Sequence, residues 1–160
     1  MPAQIIGALD VERMLLSVDM RAKKRAVRRI YDEAQKIAEI ASQMAPRDEG
    51  YLEKAIKVSP ASLERARDEL GRFTRTDVFV YVDEDMVVPT PSGKPKRVGD
   101  YAYMVHEWVT PYGMKNLGPL SVLKQMNSPY VVGGGFLERA ADMRVDELVA
   151  GVADDLSEEF

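Results

Sequence analysis

Between Asp10 and Ala45 the chain runs without glycine or proline. Its apolar positions there, Leu15, Val18, Ala22, Ala26, Ile30, Ala34, Ile37, Ala41 and Met44, step by three or four residues. That spacing is one stripe on a helix. Asp10 suits an N-cap, and Pro46 ends the element because the residue before a proline is pushed out of the helical region. A helix of about 35 residues would reach roughly 50 Å, longer than the usual globular helix. We therefore expect a break near Ser17-Val18-Asp19, a helix from about Asp19, and a flexible N-terminal arm over residues 1–18.

Pro46 to Gly50 reads as a turn in which Asp48 caps the N–H groups that follow. Tyr51 to Ile56 then makes one or two helical turns. Lys57-Val58-Ser59 begins a strand that Pro60 closes, and Ser62 to Leu70 reads as a short charged helix ended by Gly71. The pattern changes at Thr76–Val82, where Val78, Val80 and Val82 alternate with Phe79 and Tyr81, the period of a strand. Met86-Val87-Val88 is a second candidate. Pro89–Gly99 is a flexible loop or a hairpin tip, Tyr101–Thr110 is strand or short helix, and Pro111–Pro129 reads as a second long loop. After Gly133-Gly134-Gly135, Leu137, Ala141, Val145, Leu148, Val152 and Leu156 predict one closing amphipathic helix. Helices at both ends around a few strands, without βαβ alternation, make an α+β fold. A long N-terminal helix and a C-terminal helix pack on a small antiparallel β-sheet with extended loops. At 160 residues the chain suits a single domain.

Composition narrows the chemistry. There is no cysteine and one histidine, His106, so disulfide scaffolds, thiolate metal sites and Cys nucleophiles are excluded. The net charge of −4 speaks against an overall basic nucleic-acid binder. No signal-peptide pattern opens the chain and no apolar run is long enough to span a membrane, so the expected compartment is the cytoplasm. The charge is nevertheless segregated. Arg21, Lys23, Lys24, Arg25, Arg28 and Arg29 crowd nine residues of the first helix. From Glu138 to the C-terminus, eight carboxylates, among them Asp142, Asp146, Glu147, Asp154 and Asp155, face only Arg139 and Arg144. The basic run is open to three readings: a protein contact, a solvated helix face, or a phosphate-binding stripe. The acidic helix, within the chain or on a neighbouring copy, is its natural complement.

Other candidate sites are weaker. The three glycines before the last helix form an anion cradle or, more simply, a turn. His106-Glu107 lacks the second histidine of a zinc helix, since Thr110 stands in its place, and it reads as a structural pair. A hydrolase or nuclease built on these two with a metal is the remote alternative. Asp83-Glu84-Asp85 lacks the spacing of a calcium loop and reads as a solvated turn. No catalytic, metal or cofactor site is expected.

Three segments, in order, resemble one family. Ala45-Pro46-Arg47-Asp48-Glu49-Gly50-Tyr51-Leu52-Glu53-Lys54-Ala55-Ile56 follows a long helix and is similar to the A-P-x-D-T-G-x-L-x-x-S-I segment of tail-completion and head–tail joining (neck) proteins of tailed bacteriophages. Tyr101-Ala102 through His106-Glu107 resembles their Tyr-Ala-x-x-x-His/Glu segment. Gly133-Gly134-Gly135-Phe136-Leu137-Glu138-Arg139-Ala140 resembles the G-G-x-x-F-L-x-x-A that opens their last helix. Glu49 replaces a threonine, Trp108-Val109-Thr110 replaces Gly-Thr, and Ala61–Arg75 and Pro89–Gly99 look like additions. The resemblance implies a structural virion protein rather than an enzyme. It would be a tail-completion or tail-terminator subunit forming a six- or twelvefold ring in the neck, between the DNA-filled head and the tail. Its partners would be copies of itself, neighbouring neck and tail-tube proteins, and DNA in the channel, with no membrane and no cofactor. Lys94, Lys96, Arg97, Tyr112 and Met114 in the two loops would dock onto adjacent rings. A cyclic ring joins unlike patches, which the basic and acidic helices supply, and the nine methionines suit adaptable contacts.

Overall fold

The computed structural model describes residues 2–3, 20–47, 49–59, 77–89, 92–108 and 117–157. Helix α1 (Met20–Met44) is the element the rest packs on. Its inward stripe, Ala22, Ala26, Ala34, Ile37, Ala38, Ala41 and Met44, is buried. So many alanines let neighbouring backbones approach closely. The expected helix start near Asp19 agrees with Met20. The expected flexible arm over residues 1–18 is corrected at Pro2–Ala3, which pair as a strand with Val80–Tyr81. Residues 4–19, the expected helix Ser62–Leu70, Asp48 and the side chain of Arg21 lie outside the described residues.

Gly50 adopts φ 81°, a left-handed backbone suited to glycine, and turns the chain into α2 (Tyr51–Ala55). The sheet follows at once. Strands β1 (Pro2–Ala3), β2 (Ile56–Val58) and β3 (Val80–Val82) are antiparallel in the order β1-β3-β2, with Ile56 opposite Val82 and Pro2 opposite Tyr81. Val80 and Val82 point into the core while Tyr81 is half-buried. β3 is shorter than the predicted Thr76–Val82. Its partner β2 stops before Pro60, which has no N–H to extend the ladder. The pairing outlasts the strand by one residue: the Ser59 N–H donates to Phe79 O at 2.8 Å, and the Phe79 N–H donates to Ser59 Oγ at 2.8 Å.

Strands β4 (Val87–Val88) and β5 (Lys96–Arg97) form a hairpin, so the Pro89–Gly99 stretch includes a hairpin arm. Among the described residues, four helices follow: α3 (Gly99–Trp108), α4 (Pro119–Asn127), α5 (Phe136–Asp142) and α6 (Val145–Ser157). The architecture is α+β, helix-rich around a small antiparallel sheet.

Three expectations change. Tyr101–Thr110, open between strand and helix, is helical through Trp108. The predicted loop over Pro111–Pro129 contains α4, because Pro119 stands at the start of a helix, where its missing N–H costs nothing. Residues 109–116, with Tyr112 and Met114, lie outside the described residues. The single closing helix is two, α5 and α6. At the joint the Arg144 N–H donates to Ala141 O at 3.0 Å, a tighter i→i−3 turn, before regular bonding resumes from Leu148 to Arg144.

Gly99 marks a close approach. A Cβ there would lie 2.9 Å from Glu84 Cβ and 3.1 Å from Glu84 O, and the Gly99 N–H donates to Glu84 O at 3.0 Å. Gly99→Ala must move backbone, so it should lower unfolding free energy by about 1–3 kcal/mol despite alanine's better helix propensity. Urea unfolding tests this. A midpoint equal to the parent's would show that the 83–86 turn yields without cost.

Candidate interaction surfaces

The three family-like segments, far apart in sequence, meet in space. The Gly133 N–H donates to Met44 O and the Gly135 N–H to His106 O, both at 2.9 Å. The His106 ring stands edge-on to Phe136, centroids 5.1 Å apart. Leu52, Ala102, Phe136 and Leu137 are buried in one cluster, and His106 is buried beside them. His106 therefore belongs to the core, and the Glu107 side chain lies outside the described residues. Pro46, Gly50, Leu52 and Tyr101 line a cleft of about 330 Å³ with Tyr51 and Lys96. Lys96 Nζ sits 4.8 Å above the Tyr101 ring, within cation–π reach. Lys94 and Arg97 are exposed, and Arg97 lies 3.3 Å from the exposed Asp85 in the solvated 83–86 turn.

The glycine turn is not an anion cradle in this structure. The Gly133 and Gly135 N–H groups are spent on Met44 and His106. Arg139 donates to the carbonyls of Val131, Gly133 and Gly134. The turn is thus braced from within, with Gly135 at φ 62° starting α5.

The charged helices partly satisfy one another. Arg29 on α1 grips Asp155 on α6 with two hydrogen bonds, and Gly151 leaves the room in which the Arg29 side chain lies. The Arg29 hydrogen bond holds the Asp155 carboxyl below its ordinary pKa. Of the expected interface residues, Arg29 and Asp155 are therefore paired within the chain. Glu33, also on α1, is buried and receives Arg144 at 2.7 Å and Lys36 at 2.6 Å. Burial pushes its pKa up, but those two cations outweigh it and the net shift is downward. Sequence reading missed this pair. The signal was there: Glu33 stands at an apolar-stripe position between Ile30 and Ile37.

The remaining charge faces outward. Lys24, Arg25 and Arg28 on α1, and Asp142, Asp146, Glu147 and Asp154 on α5–α6, are exposed. Lys24, Arg28, Asp142 and Asp146 make no ion pair among the described residues. At about 100° per residue, Lys24 and Arg28 turn away from the Arg29 edge of α1, and Asp146 lies half a turn around α6 from Asp155. Lys24 and Arg28 on α1, and Asp146 on α6, thus lie away from the Arg29–Asp155 pairing.

Helix α4 carries a second feature missed in sequence. Lys124 Nζ donates to Ser42 O and Ala45 O at the end of α1 and pairs with Glu53 at 2.6 Å. Burial pushes its pKa down, against the pull of Glu53. Leu120, Leu123 and Met126 of α4 are exposed, Leu120 and Leu123 bordering an open groove together with Lys124.

Among the described residues no cluster of histidine and carboxylate side chains is arranged to hold a metal ion, and no helix is long and apolar enough to cross a membrane. No family model, curated protein or solved structure matches this chain.

Proposed function

We propose that the protein is a structural subunit of the bacteriophage neck, a tail-completion or terminator-type ring component joining the DNA-filled head to the tail. The observation that carries this reading is the meeting of the three family-like segments, which follow one another in the chain, around Leu52, Ala102, His106 and Phe136. Assembly rather than catalysis is its activity, and the virion neck its location. Its partners are copies of itself and the neighbouring neck and tail proteins, with DNA passing through the ring.

The exposed charges support a ring contact. A cyclic assembly needs one patch to meet a different patch on the next copy, and Lys24 and Arg28 on α1 and Asp142 and Asp146 on α5 and α6 are exposed groups of opposite sign. Lys24→Glu/Arg28→Glu should abolish ring formation while the subunit keeps its circular dichroism spectrum. Light scattering and electron microscopy read the outcome, and rings of unchanged mass would remove this interface. The neck reading itself is tested in lysates of a phage lacking the gene. Packaged heads and separate, unjoined tails are expected; normal infectious particles would overturn it. The exposed basic edge also suits a phosphate backbone. That second reading requires duplex binding that weakens steeply with salt, and no binding at low salt ends it.

A further inference from the structure

We infer that α6 is a latched helix, which opens from α1 as a unit while the rest of the fold stays closed. The division of apolar contacts permits it. The main core joins the second half of α1, from Ala34 to Ala45, to the sheet, α2, α3 and α5. Leu148, Val152 and Leu156 of α6 are buried, but they do not belong to that core. Neither do Ala22 and Ala26 in the first half of α1. Among the described residues, α6 packs on α1 and meets little else beyond its own neighbour α5.

The seam between the two helices is built from small residues and charge. Ala22, Ala26, Arg29 and Glu33 step by four, three and four along α1, so they share a face. Arg144, Leu148, Gly151 and Asp155 step in the same way along α6 and the joint before it. Gly151 lets Arg29 lie across α6. Each helix contributes one cation and one anion: Arg29 grips Asp155, and Arg144 donates to Glu33 from two nitrogens, at 3.0 and 2.7 Å. Alanine removes little apolar area from water on closing, so these two pairs carry a large share of what holds α6 down. Arg29 is 41% exposed, which leaves that latch open to solvent.

The joint is already made for release. The Met143 N–H donates to Arg139 O, closing α5 on itself, and the Arg144 N–H turns back to Ala141 O. α6 therefore leaves α1 without unwinding α5, whose Phe136, Leu137 and Ala140 stay in the main core. Opening bares the apolar stripe of α6. It also frees Arg29 to join Lys24 and Arg28 among the exposed cations of α1, so the latch controls how much of the basic run a partner meets.

Hydrogen exchange of the folded full chain in increasing urea tests the latch. Amides of Leu148–Leu156 should open with a smaller urea dependence than those of Ile37–Met44, because a local opening exposes only part of the buried surface. Ile37→Val weakens the main core, which stays closed when α6 opens. It should speed exchange at Ile37–Met44 about fivefold and leave the α6 amides unchanged. Asp155→Asn keeps the side chain's size and removes the charge that Arg29 grips, so it should speed exchange in α6 about tenfold. One urea dependence shared by both helices, equal acceleration of both by Ile37→Val, or unaltered α6 exchange in Asp155→Asn would each overturn the latch.

Discussion

Lys124→Met should lower the unfolding free energy by about 2–4 kcal/mol, and the melting temperature by roughly 10 °C for a chain of this size. The long helix α1 ends with no basic residue in its last turn. Its terminal carbonyls need donors, and Lys124 supplies them from another helix, reaching Ser42 O at 2.6 Å and Ala45 O at 2.7 Å. The Lys124 side chain is only 12% exposed, so water cannot readily take its place. Methionine keeps the stem and removes the charge. It leaves two carbonyls short of a donor and Glu53 with only the distant Arg47. Adding Glu53→Leu to Lys124→Met should recover part of the loss by removing the stranded carboxylate, while the carbonyls stay unsatisfied. Thermal and urea unfolding of both single variants and the double variant give the coupling. A coupling near zero would mean that Lys124 acts only through the carbonyls.

That residue also shows why part of the structure stayed hidden in the sequence. Periodicity reports which side of an element is apolar, and it located α1, the Val80–Val82 strand and the apolar positions of α5 and α6. It does not report which partner a polar side chain finds seventy residues away, so Lys124 read as one more lysine in a loop. Pro111 and Pro129 at its ends, with Gly113 and Gly118 between them, carry the loop reading, which passes over Pro119, since a proline signals either a break or a first helical position and only the bonding downstream decides which. The joint between α5 and α6 was invisible for a related reason. The apolar steps continue across Met143 and Arg144, and the break shows only in the tighter Arg144 to Ala141 bond. The charge segregation was legible in full, but its division was not. Arg29 and Asp155 were indistinguishable from their neighbours until the α1–α6 pairing placed them together.

Arg144→Met should cost about 3 kcal/mol at neutral pH, near the lower end for breaking a buried ion pair, because Lys36 remains on Glu33. Glu33 is 5% exposed, and removing its main cation leaves a carboxylate whose burial is poorly offset. The pH dependence carries the sharper test. In the parent, Glu33 and Asp155 both have folded pKa values below their unfolded ones. Their stabilisation is complete above the unfolded values of about 4.3 and 3.9, and it is lost as pH falls through the depressed folded values. In Arg144→Met, burial is opposed by Lys36 alone, so the Glu33 pKa should rise from its position in the parent. The carboxylate is then less well stabilised at neutral pH, and protonation removes that difference as the solution is acidified. The stability gap between parent and variant should therefore narrow on acidification and close once Glu33 is protonated in both, below the depressed pKa of the parent. A gap that stays constant into strong acid would show that Arg144 holds α5 and α6 to α1 through the packing of its side chain rather than through its charge on Glu33.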